Sequence, residues 1–235
     1  MNEYIPYGKQ SISETDIAKV CEVLRSDWLT QGPTVGIFEN AVTEKCNAQY
    51  AVAVNSATSA LHIACLALGV GPGDTVWTSP NTFVASANCA RYCGASVDFV
   101  DIDPDTWCLS VEKLRLKLED YKSAWKQLPK VVIPVHLSGQ SCEMQAIYEL
   151  GQKYGFKIIE DASHAIGGKF QDEPVGNCKY SDITVFSFHP VKIITSGEGG
   201  MALSNDLEIQ DHMERLRSHG ITRESEQMSR KPDGP

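Results

Sequence analysis

The sequence predicts an α/β fold in which a largely parallel, seven-stranded sheet lies between two layers of helices. Two observations support this prediction. Short runs of strand type alternate with segments of helical periodicity along most of the 235 residues. The predicted strands are apolar throughout, which is typical of parallel sheets that helices cover on both faces.

The N-terminal part is predicted to contain two helices and a connecting loop. Apolar residues recur near helical spacing across residues 11–26, and Ser13 with Asp16 suits a helix start. Residues 28–34 are a predicted loop, and a second helix is predicted at 35–46.

Strands and helices then alternate to the end of the predicted domain. Strands are predicted at 51–54, 76–79, 96–100, 131–135, 157–161, 183–188 and 201–204. Helices are predicted at 56–68, 81–93, 111–121, 143–154 and 206–218. Gly69 and the Gly71-Pro72-Gly73 run close the first of these helices. The tail at 221–235 is polar and has no core pattern, so we expect a linker there.

Composition restricts the class of partner and the compartment. The net charge of −9 argues against a nucleic-acid partner, because phosphate binding needs clustered lysine and arginine. No stretch is long and apolar enough for a membrane span, and the N-terminus has no signal-peptide pattern, so we expect a cytoplasmic protein. The eight scattered cysteines predict free thiols, and their spacing does not predict a metal site.

An aspartate and a lysine carry the strongest chemical signal. Asp161 ends the apolar strand predicted at 157–161, and ligands of open α/β sheets bind at such carboxyl ends. Lys192 follows in an irregular, glycine-rich segment. A lysine can hold pyridoxal phosphate as a Schiff base, while an acid keeps the pyridine nitrogen protonated. The plainer alternatives are a capping aspartate and a solvated surface lysine.

Small and hydroxyl residues predict an anion site at a strand-to-helix junction. In the run Asn55-Ser-Ala-Thr-Ser-Ala-Leu, Thr58 and Ser59 are the natural phosphate ligands at a helix N-terminus. Ordinary helix capping by Ser56 is the alternative reading. Ser187 ends another apolar strand and offers a second hydroxyl to a phosphate. No GxGxxG run follows the strand predicted at 51–54, so a dinucleotide site has weak support.

Three further candidates also follow strands. Phe83 is suited to stack on a planar ring, although a lone phenylalanine is more often a core residue. His164 lies three residues after Asp161 and is suited to contact the same ring, with a structural histidine as the alternative. His136 follows the strand predicted at 131–135.

Taken together, these segments resemble the sugar-nucleotide aminotransferases of the pyridoxal-phosphate-dependent fold type I superfamily. The resemblance extends from about Tyr7 to the end of the chain. It is carried by NSATSALH at 55–62, SPNTFVASAN at 79–88, PVHLSGQ at 134–140, EDASHAIG at 160–167 and SFHPVKIITSGEGG at 187–200.

The resemblance implies a role for each candidate residue. Lys192 would be the Schiff-base lysine and proton shuttle, Asp161 would pair with the pyridine nitrogen, and Phe83 would lie on the ring face. The implied cofactor contacts also include Ser56, Ala57, Thr58, Ser59, His164 and Ser187. The implied substrate contacts are Tyr7, Asp27, Trp28, Leu29, Thr30, Ser56, Ser187 and Lys192.

The resemblance also implies substrates, partners and domain limits. A UDP-sugar and glutamate would be the substrates, and a homodimer the active form. Residues 1–34 would form an N-terminal helix and substrate loop, 35–220 the cofactor-binding large domain, and 221–235 a linker cut before a small C-terminal domain that we expect to be absent.

The family leaves several functions open. Its sugar dehydratases carry histidine where Lys192 stands, which argues against that activity. Other 4-aminotransferases, such as those of bacillosamine or aminoarabinose type, fit equally well. A truncated protein that binds the cofactor without turnover is the alternative from outside the enzymes.

Overall fold

The computed structural model describes residues 4–6 and 8–221, so Tyr7 and nearly all of the predicted linker lie outside the described residues. It contains a seven-stranded sheet, as the sequence predicts. The strands of this sheet are β1 (Tyr50–Val54), β2 (Thr75–Thr78), β3 (Ser96–Phe99), β4 (Val131–Ile133), β5 (Lys157–Asp161), β8 (Ile183–Ser187) and β9 (Gly200–Ser204). A separate small hairpin consists of β6 (Lys169–Phe170) and β7 (Glu173–Pro174), which the sequence pattern did not predict.

The strand order is β1-β9-β8-β5-β4-β2-β3, and only β9 runs against its neighbours. Residue pairing aligns the carboxyl ends of three parallel strands, β1, β5 and β8, at one edge of the sheet. Asp161 of β5 pairs with Val185 of β8, and Gly200 of β9 pairs with both Ser187 and Val54. The carboxyl ends of β1, β5 and β8 therefore meet at the edge where α/β sheets bind ligands.

Helices cover both faces of the sheet, as predicted. They are α1 (Glu14–Leu24), α2 (Pro33–Cys46), α3 (Ala57–Ala67), α4 (Ala85–Tyr92), α5 (Val111–Ser123), α6 (Met144–Tyr154) and α7 (Leu207–Arg217). One face is packed by α3, α4 and α7, through buried residues such as Cys89 and Met213. The other is packed by α2, α5 and α6, through residues such as Val42, Leu118 and Ile147. The strands β4, β8 and β9 are buried along their whole length, which explains the apolar runs in the sequence.

Two predicted boundaries differ from the structure for local reasons. The helix predicted from residue 81 begins at Ala85, because the preceding segment forms a turn in which Ser86 N–H donates to Phe83 C=O at 3.2 Å. The strand predicted to reach residue 135 ends at Ile133, and a short 3₁₀ helix follows at Leu137–Gly139.

Other predictions concern the thiols and the membrane. All eight cysteines are free, as predicted, and Cys65, Cys89 and Cys93 are buried in the core. Among the described residues, no helix has the length and apolarity that crossing a bilayer requires.

Candidate active site

A cavity of about 370 Å³ lies at the carboxyl edge of the sheet and gathers most of the predicted cofactor residues. Its walls include Ser56, Ala57, Thr58, Phe83, Asp161, His164, Ser187 and Lys192. These residues come from two strand ends, one helix N-terminus and three loops. The predicted convergence of separate segments is therefore present in the fold.

The N-terminus of α3 forms one wall of the cavity. Ser56 is the N-cap residue, and its Oγ accepts a hydrogen bond from Ser59 N–H at 3.2 Å. The capping role and the site role thus coexist, because Ala57 and Thr58 of the first turn still line the cavity. Backbone N–H groups in a first helical turn lack partners within the helix and favour an anion.

Ser59 does not line this cavity. Its hydroxyl lies 3.2 Å from the Ser56 hydroxyl, and the residue faces a neighbouring cavity of about 860 Å³. Successive helical residues point about 100° apart, so the turn that aims Thr58 at the first cavity aims Ser59 away from it. A direct phosphate contact by the Ser59 side chain therefore has no support in this geometry.

Asp161 is buried and held on both carboxylate oxygens. Its Oδ1 accepts from Ser163 Oγ at 2.6 Å and from Ser163 N–H at 3.2 Å, and its Oδ2 accepts from Ser86 Oγ at 2.6 Å. These three hydrogen bonds satisfy the buried carboxylate and fix its orientation at the cavity wall. Because no described helix begins at Asp161, the alternative of a capping aspartate is wrong.

Lys192 is half-buried in the wall of the same cavity. Burial lowers the pKa of its ammonium group, and the negative charge of Asp161 opposes this shift only in part. The lysine sits in a tight turn, where Lys192 N–H donates to His189 C=O at 2.9 Å. A larger neutral fraction makes this amine a better nucleophile and base than a solvated lysine.

His164 has a defined ring orientation. Its Nδ1 accepts a hydrogen bond from Ser138 N–H at 3.1 Å, so the neutral ring carries its proton on Nε2. Burial lowers the pKa of this imidazole, and the positive charge of Lys192 lowers it further against the opposite effect of Asp161. His164 therefore favours the neutral form beside a possible ring ligand.

Phe83 is 70% exposed and lines the cavity, so the alternative of a core phenylalanine is wrong.

The predicted substrate loop does not line the same cavity as the predicted cofactor residues. Thr30 lines the neighbouring larger cavity, whereas Asp27, Trp28 and Leu29 line neither of the two cavities as the structure describes them. Trp28 and Leu29 are 58% and 72% exposed, so they have no packing role within the described part of the chain.

Several residues of the site were not predicted from the sequence. Ser86 and Ser163 hold Asp161, and Thr82, His189 and Glu198 line the cavity. Their only sequence signal is proximity to a predicted residue. His136, in contrast, lies outside the cavity: it is fully buried and its Nε2 is 2.7 Å from Glu160 Oε2.

Residues 10–232 match the DegT/DnrJ/EryC1/StrS aminotransferase family. The chain belongs to this family. Two curated relatives are similar over 94% of the chain: the UDP-4-amino-4-deoxy-L-arabinose–oxoglutarate aminotransferase of Shewanella sediminis, at 37% identity, and the spore coat polysaccharide biosynthesis protein SpsC of Bacillus subtilis, at 40%. The chain spans about half the length of these relatives, 54% and 55%.

Solved structures of other aminotransferases share the fold. Helicobacter pylori PseC, an aminotransferase involved in the biosynthesis of pseudoaminic acid, matches with a TM-score of 0.87 and 30% identity over 98% of this chain and 60% of its own. Bacillus subtilis NtdA, solved with bound pyridoxamine phosphate, matches with a TM-score of 0.75 and 32% identity over 85% of this chain and 43% of its own. These matches confirm the predicted fold type I large domain.

Aminotransferases of the DegT/DnrJ/EryC1/StrS family use pyridoxal phosphate, and the cavity fits that group. The α3 N-terminus and Ser187 suit its phosphate, the exposed ring of Phe83 suits its pyridine face, and Asp161 suits its ring nitrogen. Lys192 supplies the amine that the cofactor aldehyde requires. Each chemical part of the cofactor therefore has a matching residue type in one cavity.

Proposed function

We propose that the protein is a pyridoxal-phosphate-dependent aminotransferase that transfers an amino group from glutamate to C4 of a UDP-4-keto sugar. The observation that carries the proposal is the presence of Lys192 and Asp161 in one cavity with the N-terminus of α3. An amine, a buried carboxylate and an anion site are the three groups that this cofactor needs from a protein.

The roles of the residues follow from their environments. When bound, pyridoxal phosphate supplies an electron sink for the bonds at the amino-donor Cα. Asp161 keeps a proton on the pyridine nitrogen. Lys192 would hold the cofactor at rest and would take the proton from the donor Cα as a base. Ala57 and Thr58 hold the phosphate with the first-turn N–H groups, and Phe83 limits the tilt of the ring.

For the sugar, we propose a UDP-4-keto-6-deoxy-N-acetylhexosamine of the pseudaminic acid pathway, so that the protein acts as a UDP-4-amino-4,6-dideoxy-N-acetyl-β-L-altrosamine transaminase. The similarity to PseC over 98% of this chain supports this choice. The similarity to the Shewanella enzyme, at 37% identity, supports an aminoarabinose-type substrate instead. A bacillosamine-type sugar is the third candidate.

Purified protein loaded with cofactor and glutamate should be offered each UDP-4-keto sugar separately, and the UDP-4-amino product measured by mass spectrometry. Product from the 4-keto N-acetylhexosamine of β-L configuration alone supports the pseudaminic acid assignment, whereas product from its epimer alone favours the bacillosamine type. Product from the 4-keto arabinose sugar alone contradicts it and favours the aminoarabinose type.

We propose a homodimer as the active form and the cytoplasm as its location. The apolar residues Ile17, Val20 and Leu24 of α1 are exposed, and α1 buries none of its residues within the described chain. A contiguous apolar helix face of this kind favours a partner, and a second copy is the commonest one. Eight free cysteines favour a reducing compartment.

The experiment that tests the activity is a visible absorption spectrum of the purified protein with pyridoxal phosphate, before and after L-glutamate. We expect a band that depends on the lysine and that bleaches with glutamate. Lys192→Ala should remove the band, while the matched control Lys153→Ala, on the exposed side of α6, should retain it. A band that survives in Lys192→Ala contradicts the role of Lys192.

A chain that spans half of its relatives also suggests a second candidate, a protein that binds the cofactor without turnover. The same spectra separate the two. A lysine-dependent band that glutamate does not bleach supports cofactor binding alone.

A further inference from the structure

We infer that Ser86 is a positioning residue for Asp161 and that Thr82 and Ser86 form a directed chain of hydroxyl groups from the cavity wall to this carboxylate. The inference deepens the proposed function, and its catalytic consequence rests on that proposal. Neither hydroxyl belongs to the residues that the sequence singled out.

The contact between Ser86 and Asp161 is short and buried. Ser86 lies in the first turn of α4, is 0% exposed, and its Oγ is 2.6 Å from Asp161 Oδ2. The two residues are 75 positions apart in the chain, so the contact depends on how α4 packs beside β5. A distance of this size is typical of a hydroxyl that donates to an ionised carboxylate.

The donor and the acceptor of each hydrogen bond between these hydroxyl groups follow from the number of protons that each group can donate. An ionised carboxylate only accepts, so Ser86 donates its single hydroxyl proton to Asp161. Thr82 Oγ1 lies 2.7 Å from Ser86 Oγ, and with the serine proton already used, Thr82 must be the donor of that hydrogen bond. The contact from Ser86 Oγ to Phe83 C=O is longer, at 3.3 Å, and is to a neutral acceptor. The charged acceptor therefore prevails.

Thr82 connects the hydrogen-bonded hydroxyl groups to the cavity. It lines the cavity wall, while Ser86 does not. Because Thr82 donates toward Ser86, its oxygen keeps acceptor capacity for a donor inside the cavity. The two hydroxyl groups thus connect a second point of the cavity wall, at Thr82, to the carboxylate of Asp161, which lines the same cavity.

Asp161 can accept about one hydrogen bond more than the three it already accepts. Ser163 occupies Oδ1 with two hydrogen bonds and Ser86 occupies Oδ2 with one. A carboxylate accepts about four hydrogen bonds, so about one position remains for a pyridine N–H. Ser86 and Ser163, on opposite oxygens, fix the rotation of the carboxylate about its Cβ–Cγ bond and hold that position toward the cavity.

The first test uses the protein without cofactor. A short hydrogen bond to a carboxylate should give the Ser86 hydroxyl a slowly exchanging proton with a downfield ¹H resonance. We expect this resonance to disappear in Ser86→Ala and to remain in Ser204→Ala. Ser204 is an equally buried serine that donates to Asp182 C=O at 2.8 Å, outside the cavity, and so controls for the loss of a buried hydroxyl. The absence of such a resonance from the unmodified protein overturns the inference without reference to activity.

The second test uses protein loaded with ¹⁵N-labelled pyridoxal phosphate. In Ser86→Ala the pyridine ¹⁵N shift should move toward the unprotonated value, and kcat should fall about tenfold, a typical loss when a group that orients a ligating residue is removed. The KM for glutamate should stay within about twofold, because Ser86 does not contact the donor site. Ser86→Thr, which keeps the hydroxyl, should restore both the ¹⁵N shift and kcat.

Outcomes of the two tests separate the inference from the proposed function. An unmodified protein with no lysine-dependent band contradicts the proposed function, while the hydroxyl resonance still decides the inference. If Ser86→Ala does not fold, Ser86→Cys serves in its place, since a thiol keeps the shape of the side chain but is a weak donor to Asp161. A ¹⁵N shift and kcat that are unchanged in the folded variant overturn the inference.

Discussion

Gly200, at the start of β9, lies directly against the backbone of Ser56 at the start of α3. A β-carbon on Gly200 would overlap the carbonyl group of Ser56 and the N–H of Ala57. These are backbone atoms that cannot rotate away, so only glycine permits this approach. The contact sets how closely the anion-binding turn of α3 approaches the carboxyl edge of the sheet.

Gly200→Ala should therefore weaken cofactor binding by displacing the N-terminus of α3. Overpacking of this kind costs about 1–3 kcal/mol, and we expect both a lower free energy of unfolding and a weaker affinity for pyridoxal phosphate. Denaturant unfolding and a spectrophotometric titration measure the two effects. Gly36→Ala is the matched control, because its β-carbon would meet nothing within 4 Å and α2 should gain stability. Unchanged affinity in Gly200→Ala would contradict the role of this contact.

Phe83→Ala should weaken cofactor binding without destabilising the fold. The ring is 70% exposed at the cavity wall and contributes little to the core. Loss of an aromatic stacking partner is worth about 1 kcal/mol, which corresponds to a roughly fivefold weaker affinity for pyridoxal phosphate. Phe83→Tyr should bind as tightly as the unmodified protein. A large fall in the unfolding free energy of Phe83→Ala would instead indicate a structural role.

The sequence predicts those residues of the candidate site whose positions are determined by the end of a strand. Asp161 and Ser187 end apolar strands, and parallel strands bring their carboxyl ends to one edge, so their convergence follows from the strand pattern alone. Ser86 could not be found in this way, because its partner is fixed by the packing of α4 on the sheet. The cofactor role of Ser59 stays a prediction, because the sequence run does not show the rotation of α3, which turns this side chain toward the neighbouring cavity.

The rate at which the cofactor attaches to Lys192 should rise with pH through a midpoint below the usual lysine range. Attachment requires the neutral amine, and burial lowers the pKa of Lys192 from its ordinary value of 10.5. The carboxylate of Asp161 opposes this shift, so Asp161→Asn should lower the pKa further and move the rate profile to lower pH.

Stopped-flow absorbance of cofactor-free protein mixed with pyridoxal phosphate over a pH series measures this profile. Asp105→Asn controls for the loss of one negative charge, because Asp105 is exposed in the loop between β3 and α5 and does not line the cavity. A midpoint that moves to higher pH in Asp161→Asn would show that the two side chains do not interact through charge as the geometry requires.

Glu160 and His136 form a buried pair that should make the fold sensitive to acid. Burial raises the pKa of the Glu160 carboxyl, but the hydrogen bond and charge of His136, together with donors on Ser181 and Thr184, outweigh it and lower the pKa below its ordinary value of 4.5. A carboxyl with a lowered folded-state pKa stabilises the fold above its unfolded-state pKa. This contribution is lost as the pH falls from about 4.5 through the folded-state pKa.

Glu160→Ala should accordingly lower the free energy of unfolding by about 3–5 kcal/mol at pH 7, because it leaves a buried imidazole without its partner. The variant should also lose stability less steeply than the unmodified protein below pH 4.5, since the titrating group is gone. Urea unfolding at a series of pH values measures both effects. Glu173→Ala, which removes an exposed ion pair with Lys179, should change neither the stability at pH 7 nor the acid profile noticeably. An acid profile of Glu160→Ala that is parallel to that of the unmodified protein would show that other carboxylates govern acid unfolding.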